Sequence, residues 1–146
     1  MLNGFTSTYD HISNRLINYT TVKYNDKDCY VKALWDTGAT TTCISHNVVQ
    51  KLSLISVGKA TMSSTSGKTE VNTYLVDIDL PNDVHIKDVK VCDSEIAAQG
   101  FDLLIGMDII NRGDFSVSNC NGKTIFTFRI PSIQATDAEI SKKAKQ

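Results

Sequence analysis

The sequence predicts a single, mostly β domain, and three observations carry that prediction. From Leu16 onward, apolar residues come in short β-prone runs broken by turn chemistry. Nowhere does an apolar 3.6-residue repeat last three turns, which excludes long helices. The 146 residues, 41% hydrophobic and 21% charged with two prolines, suffice to bury one core and are too few for two. Residues 1–14 and 132–146 lie outside the patterned stretch. They are expected to be a leader and a polar, lysine-bearing tail around a domain of residues 15–131.

Residues 16–24 and 29–35 are predicted to form a hairpin, because Asn25-Asp26-Lys27-Asp28 carries short polar side chains that bond their own backbone in turns. Residues 40–44 are rich in β-branched side chains and read as a third strand. Ser45 can then cap a helix of at most two turns, with Val48, Val49 and Leu52 along one side. A long hairpin follows: 59–64, a tip of small residues, and 68–80, where Tyr74, Val76, Ile78 and Leu80 alternate with Leu75, Asp77 and Asp79. Pro81-Asn82-Asp83 turns the chain into 84–91. There Val84 and Ile86 share one parity and Val89 and Val91 the other, which predicts a bulge near Lys87-Asp88. The apolar run 101–105 ends in Gly106, and 107–112 reads as a helical stub with Gly113 as its C-cap. Finally, 115–118 and 124–130 flank Asn121-Gly122, the dipeptide that favours a tight type I′ hairpin.

Composition removes several function classes. Fifteen Lys and Arg against sixteen Asp and Glu leave a net charge of -1, so no overall field gathers polyanions, and nucleic-acid binding by bulk charge is disfavoured. No stretch approaches the roughly 18 apolar residues of a membrane span, and the first residues lack a basic segment followed by an apolar one. The expectation is a soluble, cytoplasmic protein without membrane partners. Cys29, Cys43, Cys92 and Cys120 form no C-x-x-C pair and have no histidine at metal-ligand spacing, so they read as buried or semi-buried thiols. His11, His46 and His85 are scattered, the serines show no nucleophile elbow, and no glycine-rich loop cradles phosphate. Neither metal nor cofactor is expected.

The informative segment is Leu34-Trp35-Asp36-Thr37-Gly38-Ala39, where an apolar strand runs into an acid, then Thr-Gly, then a second β-prone run. A lone D-T-G is by itself only a turn signal. Here the acid ends an apolar strand, at the edge of the core, where partial desolvation suits a carboxyl to proton exchange. Gly38 lets another backbone approach, and the Thr37 hydroxyl can bond across such an approach. A second apolar run, Leu103-Leu104-Ile105-Gly106-Met107-Asp108, follows some 70 residues on.

Together, the hydrophobic pair before Asp36-Thr37-Gly38-Ala39 and the later Leu104-Ile105-Gly106 resemble the retroviral-type, retropepsin-like aspartic proteases. Gly106-Met107-Asp108 is similar to the retrotransposon and bacterial or phage branch of that family, the gag-polyprotein type. The resemblance implies a closed, barrel-like acid-protease fold with one or two short helices, acting as a homodimer. It implies that Asp36 is the catalytic aspartate and that Thr37 and Gly38 form the loop meeting its symmetry mate. It also makes Ser63, Ser64, Thr65, Ser66 and Gly67 the tip of a flap over an extended peptide or polyprotein substrate, with Ala39 and Ile105 on the substrate side. No other Asp in the chain is followed by Thr-Gly, so the second carboxyl must come from a second copy.

Three departures, at Ala39, at the pair Thr40 and Met107, and at Trp35, qualify the resemblance to aspartic proteases. Ala39 replaces the Ser common in pepsin-like enzymes, removing a donor to the ionised carboxylate and implying an optimum nearer mild acid to neutral pH. Many retroviral members carry an acid and an Arg where this chain has Thr40 and Met107, so the ion pair that braces their dimer is missing. Trp35 is bulkier than the expected aliphatic residue. A non-catalytic dimerisation or peptide-binding module of the same fold is the alternative that these residues leave open.

Overall fold

The computed structural model describes residues 3–136. It contains strands β1 (Asn3–Thr8), β2 (Leu16–Tyr24), β3 (Lys27–Trp35), β4 (Cys43–Ile44), β5 (Gly58–Ser64), β6 (Gly67–Leu80), β7 (Val84–Asp93), β8 (Leu103–Ile105), β9 (Asp114–Ser118) and β10 (Ile125–Ile130). Two short helices join them, α1 (His46–Leu52) and α2 (Met107–Ile110).

Six strands close a barrel in the order β2-β3-β8-β4-β7-β6, with β6 returning to β2 through Thr21, Val22 and Lys23 against Asp79, Ile78 and Asp77. Alternation does the sorting: Cys29, Val31, Ala33 and Trp35 point inward from β3, and Tyr74, Val76, Ile78 and Leu80 from β6. The bulge expected near Lys87-Asp88 is present. Pairing steps from Val76↔Val89 to Ile78↔Ile86, Asp88 takes φ 55, and its N–H donates to Asp77 Oδ1 at 2.9 Å. Ser45 caps α1 by accepting from Val48 N, and Val48 and Leu52 are buried beneath it. Among the described residues β5 pairs only with β6, so their hairpin extends beyond the closed ring.

A second sheet, ordered β1-β10-β9, packs on the barrel through aromatic rings. Phe5, Phe126 and Phe128 surround Trp35 at centroid distances of 5.6, 6.0 and 5.2 Å, and Phe115 stacks on it at 5.6 Å and 10°. Trp35 is thus core, sandwiched between barrel and sheet, with its indole N–H on Asn18 Oδ1 at 3.0 Å.

Several expectations are corrected. Within the expected leader 1–14, Asn3–Thr8 is a full strand in register with β10, because Phe5 has an aromatic cluster to join. Of the expected tail 132–146, Ser132 and Ile133 bind the Asp114 carboxylate; residues 137–146 lie outside the described residues. The turn between β2 and β3 is two residues rather than four, since Asn25 adopts the left-handed conformation and Tyr24 pairs with Lys27. Strand β4 holds only Cys43–Ile44, the preceding threonines being drawn into a loop described below. Gly113 is no C-cap: a Cβ there would stand 1.9 Å from Arg129 O, so glycine is required by the crossing of β10. Asn121 and Gly122 do take positive φ, but β9 and β10 stop pairing at Ser118↔Ile125. Thr124 is diverted to Asn119 Oδ1 and to His11 O, which opens the turn into a longer loop.

Candidate active site

Asp36 follows the last residue of β3, and its N–H continues the parallel pairing with β8 by donating to Ile105 O at 2.9 Å. The strand cannot continue, because the chain folds back: Gly38 N donates to Asp36 Oδ1 at 2.8 Å and Ala39 N to Asp36 O at 3.2 Å. This turn presents a half-buried carboxyl at the barrel rim with Thr37 and Gly38 exposed beside it. The Thr37 hydroxyl has no hydrogen-bond partner among the described residues.

The loop that begins at Asp36 is shaped by the segment from Ile105 to Asp108. Ala39 O accepts from Met107 N at 2.8 Å. A Cβ on Gly106 would approach Ala39 O to 2.8 Å and Thr41 O to 3.0 Å, so the two segments touch backbone to backbone. Thr42, fully buried, closes the loop against Asp108. Its N–H donates to Oδ2 at 3.0 Å and its hydroxyl to Oδ1 at 2.6 Å, while the same hydroxyl accepts from Gly106 N at 3.1 Å.

The remaining predicted residues are distributed differently. Ser63, Thr65, Ser66 and Gly67 sit exposed at the end of the β5–β6 hairpin, with Ser64 pairing Gly67 across the turn. Ala39 is half-buried in the Asp36 loop. The Ile105 side chain is 0% exposed and belongs to the core, so it lines no open groove; only its carbonyl serves the loop. Sequence reasoning missed Thr42 and Asp108 as partners. Their available signal was a Thr inside a β-prone run and an acid directly behind an apolar Gly-Met step.

A cavity of about 700 Å³ lies beneath the β5–β6 hairpin, between Met62 and Val71 on one side and His46, Asp93 and Glu95 on the other. Asp36 does not line it. His46 Nδ1 stands 2.8 Å from Asp93 Oδ1 at its edge. All four cysteines are free; Cys29, Cys43 and Cys92 are buried as expected whereas Cys120, in the loop after β9, is exposed, and burial pushes the Cys43 thiol up to about 12, which makes it a poor nucleophile. Among the described residues no helix is long and apolar enough to cross a membrane.

The closed barrel, the D-T-G turn at its rim and the glycine of the later apolar run define a retropepsin-like aspartic protease fold. The chain belongs to the family described as gag-polyprotein putative aspartyl protease, whose model matches residues 20–112. The structure is similar to a crystal structure of a retropepsin-like aspartic protease from Rickettsia conorii, with a TM-score of 0.58 at 14% identity over 88% of this chain and 95% of that one. It is also similar to EIAV protease complexed with the inhibitor HBY-793, with a TM-score of 0.52 at 22% identity over 70% of this chain and 90% of that one. None of the curated proteins gives a significant sequence match.

Proposed function

We infer that the protein is an aspartic endopeptidase that works as a homodimer, with one Asp36 from each copy sharing the catalytic water. The observation that carries this reading is the D-T-G turn itself, which holds a single half-buried carboxyl at the barrel rim beside an unpartnered Thr37 hydroxyl. Two carboxyls about 3 Å apart cannot both ionise cheaply, so the pair holds one proton. The ionised member takes a proton from water as the water attacks the scissile carbonyl, and the neutral member donates to the developing oxyanion. A proton then passes to the leaving nitrogen.

The β5–β6 hairpin serves in this reading as a flap, with an extended peptide bound as an added strand beneath it. The second sheet offers a place for the other copy. Asn82 Nδ2 donates to Gly4 O at 2.8 Å and so occupies the outer edge of β1, whereas residues 115–118 of β9 have no hydrogen-bond partner on their outer edge among the described residues. That open edge carries Phe115, the ring stacked on Trp35 next to Asp36.

Asp36→Asn tests the reading. Cleavage of a peptide library is expected to fall to background while sedimentation still reports a dimer. A wild-type protein that is monomeric at micromolar concentration and cuts nothing, or an Asp36→Asn variant as active as wild type, overturns it. A pH–rate profile is expected to peak between mild acid and neutrality; a maximum below about pH 3 contradicts the role given to Ala39.

A further inference from the structure

We propose that Asp108 is a positioning residue of the active-site loop, acting through Thr42 to fix the path of residues 36–42 on the barrel rim. Its effect on cleavage rests on the proteolytic reading above; its effect on the loop does not.

The geometry is a closed circuit. Asp108 Oδ1 accepts the Thr42 hydroxyl at 2.6 Å and also Ile109 N at 3.0 Å, and Oδ2 accepts Thr42 N at 3.0 Å. The Thr42 oxygen in turn accepts Gly106 N at 3.1 Å. One hydroxyl therefore both donates and accepts, and one carboxyl holds the backbone and the side chain of the same residue. Thr42 is 0% exposed and Gly106 is buried, so water cannot replace a lost partner without the segment opening.

The circuit matters because of what else the segment holds. Reading from Ile105 to Asp108, four consecutive residues grip the loop at its start, through Ile105 O and Asp36 N, at its middle, through Met107 N and Ala39 O, and at its end, through Asp108 and Thr42. The first two grips are single backbone bonds of the kind any sequence can make. The last uses side chains, and its components lie 66 residues apart, so nothing local to the loop substitutes for it. Thr42 O keeps its bond from Cys92 N at 3.1 Å and Ala39 O its bond from Met107 N at 2.8 Å, so loss of the Asp108 grip loosens residues 40–42 between those two points. The turn that aims the Asp36 carboxyl is then left on the single Met107 N–Ala39 O bond downstream. Misplacement of a reacting group by about 1 Å costs on the order of a hundredfold in rate, so a small shift suffices.

The test uses Asp108→Asn, Thr42→Val, Thr42→Ser and the Asp108→Asn/Thr42→Val double variant in the full chain. Amide hydrogen exchange at Thr42, Gly106 and Met107 is expected to accelerate about tenfold or more in Asp108→Asn and Thr42→Val, with Val31 and Val76 in the barrel unchanged. In the peptide assay kcat is expected to fall about tenfold or more while KM stays within about threefold. Thr42→Ser, which keeps the hydroxyl, restores both readouts, and the double variant is no worse than the more damaged single one.

Additive losses, or Thr42→Ser as damaged as Thr42→Val, overturn the circuit. Unchanged exchange and kcat in a folded Asp108→Asn protein overturn the proposal outright. Should the wild-type chain cleave nothing while exchange at the three amides still rises in Asp108→Asn, the proteolytic reading fails and the positioning role stands.

Discussion

Two loops of this barrel are held in opposite ways. The Asp36 loop donates hydrogen bonds to Ile105 and Asp108 and accepts one from Met107, residues of a separate strand and helix, and its neighbour Trp35 is clamped by four aromatic rings of a second sheet. The β5–β6 hairpin is ordered by its own ladder. From residue 61 to residue 70, every side chain that is described is exposed except half-buried Met62. The contrast has a physical reason. Under the proposed proteolytic function, chemistry at Asp36 demands fixed positions, which only contacts from several elements over-determine, whereas admitting a long peptide demands a segment whose displacement breaks few tertiary contacts.

Gly106→Ala is the substitution that attacks the first half of this contrast most directly. Its Cβ would meet Ala39 O at 2.8 Å and Thr41 at 3.0 Å, both backbone, so the two segments must separate. The expected result is a loss of about 1–3 kcal/mol in stability and of about a hundredfold or more in cleavage rate. Denaturant titration and a peptide assay read the two effects; a Gly106→Ala protein with wild-type stability would show that the loop is not templated by that segment.

What the sequence made legible follows from the same distinction between local and distant causes. Alternation in β3 and β6, the parity change that marks the bulge at Asp88, and the Ser45 cap all depend on neighbours within a few residues, and each is present. The D-T-G turn is likewise local, since Gly38 bonds the carboxyl two positions back. The misreadings share the opposite origin. Residues 40–42 have β-branched composition, yet Thr42 is claimed by an acid 66 positions away. Asn3–Thr8 shows no strong pattern and becomes a strand because β10 presents Phe126 and Phe128 to its Phe5. Gly113 looked like a helix terminator and is instead the point where Arg129 crosses. The resemblance puts Ile105 on the substrate side, whereas its inward parity in β8 places it in the core.

A smaller effect is expected at the base of the second sheet, which supports Trp35 from below. Asp114 accepts from the Ser132 hydroxyl, from Arg129 Nε at 2.8 Å and from Ile133 N at 3.1 Å. The Ser132 hydroxyl first, and then Arg129 and the Ile133 amide, hold its carboxyl well below the usual carboxylate range. A depressed folded-state value means that the contribution is complete above the unfolded value near 3.9 and is lost as pH falls through the folded one. Asp114→Asn is therefore expected to lower Tm at neutral pH, with the gap from wild type narrowing progressively below about pH 4. A constant gap across that range would mean that the carboxylate charge is not what binds residues 132–133 to β9.

The smallest effect on the whole fold is expected at the other glycine the contrast singles out. Gly67 takes φ +122 at the hairpin turn, a conformation that L side chains avoid, yet an added Cβ would meet nothing within 4 Å. Gly67→Ala therefore carries backbone strain of about 1–2 kcal/mol without any steric push on the barrel. Strain relieved by fraying costs the molecule only the stability of the part that frays, and here that part is an exposed ladder joined to the ring through β6 alone. Global unfolding free energy is expected to change by less than about 1 kcal/mol, while amides of residues 61–70 exchange faster and KM rises with kcat nearly unchanged. If Gly67→Ala instead unfolds the protein as readily as Gly106→Ala, hairpin and barrel form one cooperative unit, and the division between a templated loop and a self-held hairpin is wrong.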